Sequence, residues 1–229
     1  MITTVLLDAG GVILDESEHE QVRIDIATRV LGGAVPGYTE SMLRGDLDEA
    51  IKVFCPRILA YVLWKRVKPD RDLFGRLYSE FRAEWARRRP PLKLMAGFKP
   101  EIEKTAHHLK VGIAGQYGSD LLDLLDGEGI LRHFTYTFTQ DDFDITKPDP
   151  RYLERIAEAC GVQPVECIMV GDRVDNDIIP AKQVGMKTVL VRGGLHRNQI
   201  PRIPGEVPDE VLTGITGLAH AIARLAGLE

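Results

Sequence analysis

Asp8 closes the apolar run "ITTVLL" and is followed by Gly10 and Gly11 in "LLDAGGVI". A carboxylate delivered by a buried strand into a turn can be a nucleophile that forms an acyl phosphate, a metal ligand, or a polar turn residue. A second acidic stretch, "VGDRVDNDII", gathers Asp172, Asp175 and Asp177 in one short segment. Their mutual repulsion is tolerable where a divalent cation or a lysine sits among them. Capping and turn formation also account for Asp175 and Asn176, but not comfortably for Asp172. Two further stretches suit an anion. In "GQYGSD", Gly115 and Gly118 allow close backbone approach and Ser119 with Asp120 reads as a helix N-cap, so amides there surround an anion or form a plain tight turn. In "TKPDPRY", Asp149 and Pro150 read as a cap and first helical residue. Lys147 is then either an exposed loop lysine or a point charge that neutralises a phosphate and a nearby carboxylate.

These groups lie where short apolar runs stop. Runs at Ile2–Leu7, Val111–Ala114, Thr135–Phe138, Cys167–Gly171 and Lys187–Val191 alternate with helical patterns. The alternation predicts βα units in an α/β, doubly wound parallel sheet of Rossmann-like type, whose ligands bind beyond the carboxyl ends of the strands. From Glu16 to Leu92 no strand pattern occurs. Thr39 can cap a helix carrying Leu43, Leu47 and Ile51, and Asp70 one carrying Leu73, Leu77 and Phe81. A βα crossover needs only about a dozen residues, so this insertion reads as a separate helical lobe. The expected division is a core of 1–15 and 93–229 and a cap of 16–92.

Composition bounds the partners. The 229-residue chain carries a net charge of −5 and has a pI near 5.7, which offers no electrostatic footprint for nucleic acid or anionic membrane. No basic leader precedes a long apolar stretch, and no segment is long enough to span a bilayer. Cys55, Cys160 and Cys167 are odd in number and form no C-x-x-C pair, which fits small core residues in a reducing compartment. A cytoplasmic location is expected. Apolar residues of the lobe serve its own core or a homodimer interface.

Taken in order, "LLDAGGVI", Lys147 in "TKPDP" and "VGDRVDND" resemble the haloacid dehalogenase-like hydrolase superfamily, over nearly the whole chain. The helical insertion is similar to that family's first type of cap, which closes over the active site and helps to choose the substrate. "PDEVLTGITGL" resembles its closing strand, turn and helix. The resemblance implies a nucleophile at Asp8 that takes up a phosphoryl group, with Lys147 holding Asp8 and the phosphate together. It implies Mg2+ held by Asp8, the backbone carbonyl of Gly10 and Asp172, with Asp177 a ligand or the group that orients a metal-bound water. The substrate would be a small phosphorylated metabolite.

Two positions depart from the family pattern. Phosphatase members usually carry a second aspartate two residues after the nucleophile, as acid for the leaving alcohol and base for the incoming water; here that position is Gly10. General acid–base help is worth roughly 10²–10⁴-fold, so alkyl monoesters should suffer most and acyl or aryl phosphates least. The acid–base step is expected to be impaired or supplied by water. Gly115, followed by Gln116, stands where the family places Ser or Thr, which leaves backbone amides to bind phosphate oxygen. Alternatives are a catalytically weak ligand-binding or interaction protein, a 2-haloacid dehalogenase and a phosphonate hydrolase. Asp172 ranks phosphoryl transfer above dehalogenation, because metal-free halide displacement has little use for acids gathered opposite its nucleophile.

Overall fold

The computed structural model describes residues 1–228. Strands β1 (Thr4–Leu7), β2 (Lys110–Ile113), β3 (Cys167–Gly171), β4 (Lys187–Val191) and β5 (Glu210–Leu212) form one parallel sheet in the order β2-β1-β3-β4-β5. Alternate residues of β1 serve the two faces, as the period of two requires. Val5 and Leu7 join Val111, Ile113 and Val170 in one buried layer, and Leu6 joins Met169, Leu153 and Ile156 in the other. Helices α5 (Phe98–Ala106), α6 (Ser119–Gly127) and α9 (Leu218–Ala226) supply apolar residues to the first layer. Helices α7 (Pro150–Ala159) and α8 (Ile179–Gln183) supply the second. Covering both faces is what lets the strands be apolar throughout.

Contacts divide the chain into two compact units, Met1–Glu16 with the chain from Leu92 onward, and Ser17–Pro91. The second unit holds α1 (Ser17–Ala34), α2 (Glu40–Lys52), α3 (Ile58–Val67) and α4 (Arg71–Arg88). Thr39 caps α2 by accepting from the Met42 amide at 3.4 Å, and Asp70 caps α4 by accepting from the Leu73 amide at 2.8 Å. The buried face of α2 is Leu43, Leu47, Ala50 and Ile51. Met42, next to this face, is exposed.

One buried charge ties this unit together. Asp46 is only 2% exposed and accepts from Arg66 Nε at 2.5 Å and Nη2 at 2.6 Å, from Lys65 Nζ at 2.9 Å and from the Tyr38 hydroxyl at 2.7 Å. Burial alone would raise its pKa, but these partners hold it below the usual 3.8. A depressed carboxylate stabilises the fold above its unfolded pKa and loses that contribution as pH falls through the folded one. Asp46→Asn should therefore cost about 2–3 kcal/mol at pH 7 by urea denaturation, with the gap to wild type narrowing below about pH 4.

Three readings of the sequence need correction or refinement. "TYTF" forms no strand: the Thr135 and Tyr136 amides both turn onto the Val111 carbonyl, at 2.8 and 3.1 Å, so pairing stops at one bridge, Gly112 with Tyr136. Ring contacts hold this segment instead, with Tyr136 stacked on Phe138 and Phe138 edge-on to Phe143. The fifth strand is Glu210–Leu212, in the stretch that resembled the family's closing strand. Ser119 is the first helical residue rather than the cap, which is Gly118, in extended backbone with no side-chain bond. Cys160 and Cys167 are buried thiols that burial pushes up to about 11 and about 12, as inert core residues should be, whereas Cys55 is half-buried.

Candidate active site

The sheet order sets β1 between β2 and β3, and the register pairs Leu7 with Ile113 on one side and with Val170 on the other. Asp8 thus emerges between two neighbouring strand ends, its amide bonded to the Val170 carbonyl at 2.8 Å. This is the switch point of an open parallel sheet, where successive connections leave in opposite directions. Asp172 and Asp177 arrive from β3 and the helical turn that follows it, and Lys147 from the segment before α7.

Lys147 links these elements. Its side chain is 1% exposed, and its Nζ donates to Asp8 Oδ1 at 2.5 Å and to Asp177 Oδ1 at 2.6 Å. Burial alone would lower its pKa, but the charges of Asp177 and Asp8 and their hydrogen bonds more than offset this, so it stays above the ordinary lysine value and remains an ammonium. Asp177 spends its other oxygen, Oδ2, on the Arg173 amide at 3.1 Å. Asp172 is different. It is buried, yet accepts no hydrogen bond from any described residue, and its pKa is raised well above 3.8 by burial first, then by the charges of Asp177, Asp8 and Glu16. Burial likewise pushes Asp177 up to about 6, with Lys147 lowering and Asp8 raising it.

Asp8, Asp172 and Asp177 each offer an oxygen, all within 4.8 Å of one another. Three hard oxygen donors, one of them a buried carboxylate that accepts no hydrogen bond from a described residue, fit a divalent cation such as Mg2+. Gly10 lies on the turn that follows Asp8 and bridges Leu14. Asp177, already bonded through both oxygens, suits orientation better than direct ligation.

The two unusual glycines have different reasons. A Cβ on Gly115 would lie 2.5 Å from the Ala9 Cβ and 2.7 Å from the Ala9 nitrogen, so the segment after β2 approaches the turn after β1 too closely for Ser or Thr. Position 115 is thereby left with only its main chain to offer a ligand. At Gly10 the neighbour is a side chain. A Cβ there would lie 2.5 Å from Glu16 Oε2 and 3.6 Å from the Tyr117 hydroxyl. Glu16 reaches this place because the chain folds back on itself: the Ile13 and Leu14 amides both donate to the Ala9 carbonyl, Gly10 bridges Leu14, and the Asp15 amide is fixed by the Lys93 carbonyl at 2.9 Å. Neither Glu16 nor Tyr117 stands out in the sequence. No motif marks them, and they meet across 101 positions.

Gln199 likewise carries no signal in the sequence. It is 1% exposed, accepts from the Val174 amide at 2.7 Å and donates to Asp175 Oδ1 at 2.8 Å, so it braces the turn that carries Asp177. Arg192 donates to the carbonyls of Arg197 and Gln199 and shapes that brace. Asp175 pairs with Arg173 at 2.7 Å, a structural bond within the same turn. A separate surface hollow of about 610 Å³ is lined by Asp141, Asp142, Asp144 and Glu158 among others; it includes none of the site residues and would repel a phosphate.

A family model described as HAD-hydrolase-like matches residues 145–218, the stretch that holds Lys147, Asp172 and Asp177. A glyceraldehyde 3-phosphate phosphatase from Methanopyrus kandleri is 37% identical over 98 residues, which cover 43% of this chain and only 42% of that relative. A phosphoglycolate phosphatase from Vibrio vulnificus is 26% identical over 233 residues, covering 96% of each chain. Among solved structures, a predicted phosphoglycolate phosphatase from Haemophilus somnus shares the fold with a TM-score of 0.69 at 16% identity, over 96% of this chain and 98% of that one. Among the described residues, no helix is long and apolar enough to cross a membrane.

Proposed function

Because the chain belongs to the haloacid dehalogenase-like hydrolase superfamily, we propose that it is a Mg2+-dependent phosphatase acting on a small phosphorylated metabolite through a phosphoenzyme on Asp8. The observation that carries this reading is the buried bridge of Lys147 between Asp8 and Asp177, with Asp172 close by and accepting no hydrogen bond from any described residue. A dehalogenase would have no use for that unbonded carboxylate.

Each residue has a separate task. Lys147 aims Asp8 by holding Oδ1, and Oδ2 accepts no hydrogen bond from any described residue, which suits it to attack phosphorus. The ammonium also offsets the repulsion between an anionic nucleophile and an anionic substrate. Backbone amides of Gly115 and Gln116 bind phosphate oxygens. Mg2+, held by Asp8, the Gly10 carbonyl and Asp172, with Asp177 orienting, would supply Lewis-acid polarisation of the phosphoryl group. Phosphoglycolate and glyceraldehyde 3-phosphate, the substrates in the relatives' names, are the first esters to try.

The test is a panel of alkyl, aryl and acyl phosphates with a 2-haloacid, each assayed with Mg2+ and with chelator. Phosphate release that needs the metal is expected. Metal-independent halide release, or specific binding of a phosphorylated ligand without turnover, would overturn the proposal.

A further inference from the structure

We infer that Glu16 supplies the proton-transferring carboxylate absent from position 10, entering the same space from the opposite side of the turn. This rests on the phosphatase reading of the site and adds a residue to it.

The geometry is specific. Glu16 Oε2 lies 2.5 Å, and its Cδ 3.1 Å, from where a side chain at position 10 would begin. A carboxylate therefore stands beside the backbone that follows the nucleophile, although the residue there has none. The other oxygen, Oε1, accepts from the Tyr117 hydroxyl at 3.0 Å, and Tyr117 follows Gly115 and Gln116 in the turn after β2. That bond holds the carboxylate between the nucleophile's turn and the amides assigned to phosphate, with Oε2 turned toward position 10. Gly10 has a positive reason on this account: any larger residue would displace Glu16.

The proton balance closes. As Asp8 attacks and the bond from phosphorus to the leaving oxygen breaks, protonated Glu16 gives its proton to that oxygen and the alcohol departs. Glu16, now a carboxylate, takes a proton from the water that attacks phosphorus. The bond from phosphorus to Asp8 breaks, inorganic phosphate leaves, and Asp8 and protonated Glu16 are restored. Tyr117 is a positioning residue, acting through Glu16.

The experiment compares wild type with Glu16→Gln on glyceraldehyde 3-phosphate and on 4-nitrophenyl phosphate with Mg2+. Nitrophenolate leaves without a proton, so the variant should still transfer the phosphoryl group to Asp8. Without a base for water, it should then stall. The expected signature is a burst of one nitrophenolate per active site followed by slow turnover, together with a roughly 10²–10⁴-fold loss of kcat on the alkyl ester. A merely structural role for Glu16 would lower the burst rate and steady turnover together. That result, or alkyl turnover within threefold of wild type, overturns the assignment while leaving the phosphatase reading intact. If wild type turns over neither ester, both readings fall. Should Glu16→Gln fail to fold, Glu16→Asp withdraws the acid by one methylene and carries the same test.

Discussion

Replacing Lys147 by methionine should destabilise the protein by about 3–5 kcal/mol in chelator, as expected when one partner of a buried ion pair is removed. Methionine keeps most of the packing volume, so the loss reports charge rather than a cavity. What remains is three carboxylates within 4.8 Å, deprived of the ammonium that bonds two of them. Against a typical domain stability of about 5–15 kcal/mol this is a large fraction. Urea denaturation measures it, and a loss under 1 kcal/mol would refute the argument. The dependence on pH follows from protons bound. Burial already lifts Asp177 from 3.8 to about 6 with the lysine in place. Without it, the folded variant retains protons that the unfolded chain has released, so its deficit grows as pH rises from about 4. Added Mg2+ should recover part of the loss, since a cation bound only by the folded state stabilises it by mass action.

Asp8→Asn should have the opposite profile, with activity lost by at least about 10⁴-fold and stability kept. An amide offers no anionic oxygen to attack phosphorus. Its folded state, however, is relieved of one charge, because Asp8 contributes to the raised pKa of both Asp172 and Asp177. Lys147 retains Asp177 as a partner at 2.6 Å. The melting temperature should therefore equal or exceed that of wild type, as expected where stability is given up for function. Phosphate release from the preferred ester and a thermal melt check both halves. Residual turnover near wild type would remove Asp8 from the mechanism, and a lower melting temperature would contradict the charge argument.

Much of the molecule is legible in local pattern. The apolar runs at β1, β2, β3 and β4, the caps at Thr39, Asp70 and Asp149, and the order of Asp8, Lys147 and Asp172 along the chain are properties of neighbouring residues, and they point to an α/β fold with its site at strand ends. "TYTF" misled because β-branched and aromatic content describes a pleated surface without saying whether amides find separate acceptors; here two share Val111. An exposed loop residue is the commoner reading of Lys147 in the sequence, and only its surroundings reveal a buried ammonium.

The amino-acid sequence by itself determined the fold class and the chemical types available at the site: a candidate nucleophile, a lysine, clustered acids, and a glycine where a second acid is usual. Only the tertiary structure decided what those types do to one another. Strand order set Asp8 between β2 and β3, burial drove up the pKa of Asp172, and the fold-back after Ala9 brought Glu16 into the space beside Gly10. These outcomes depend on distances and exclusion of water, which arise from contacts between residues as far apart as Glu16 and Tyr117. Spacing along the chain therefore shows a missing carboxylate, whereas the folded turn shows another in its place.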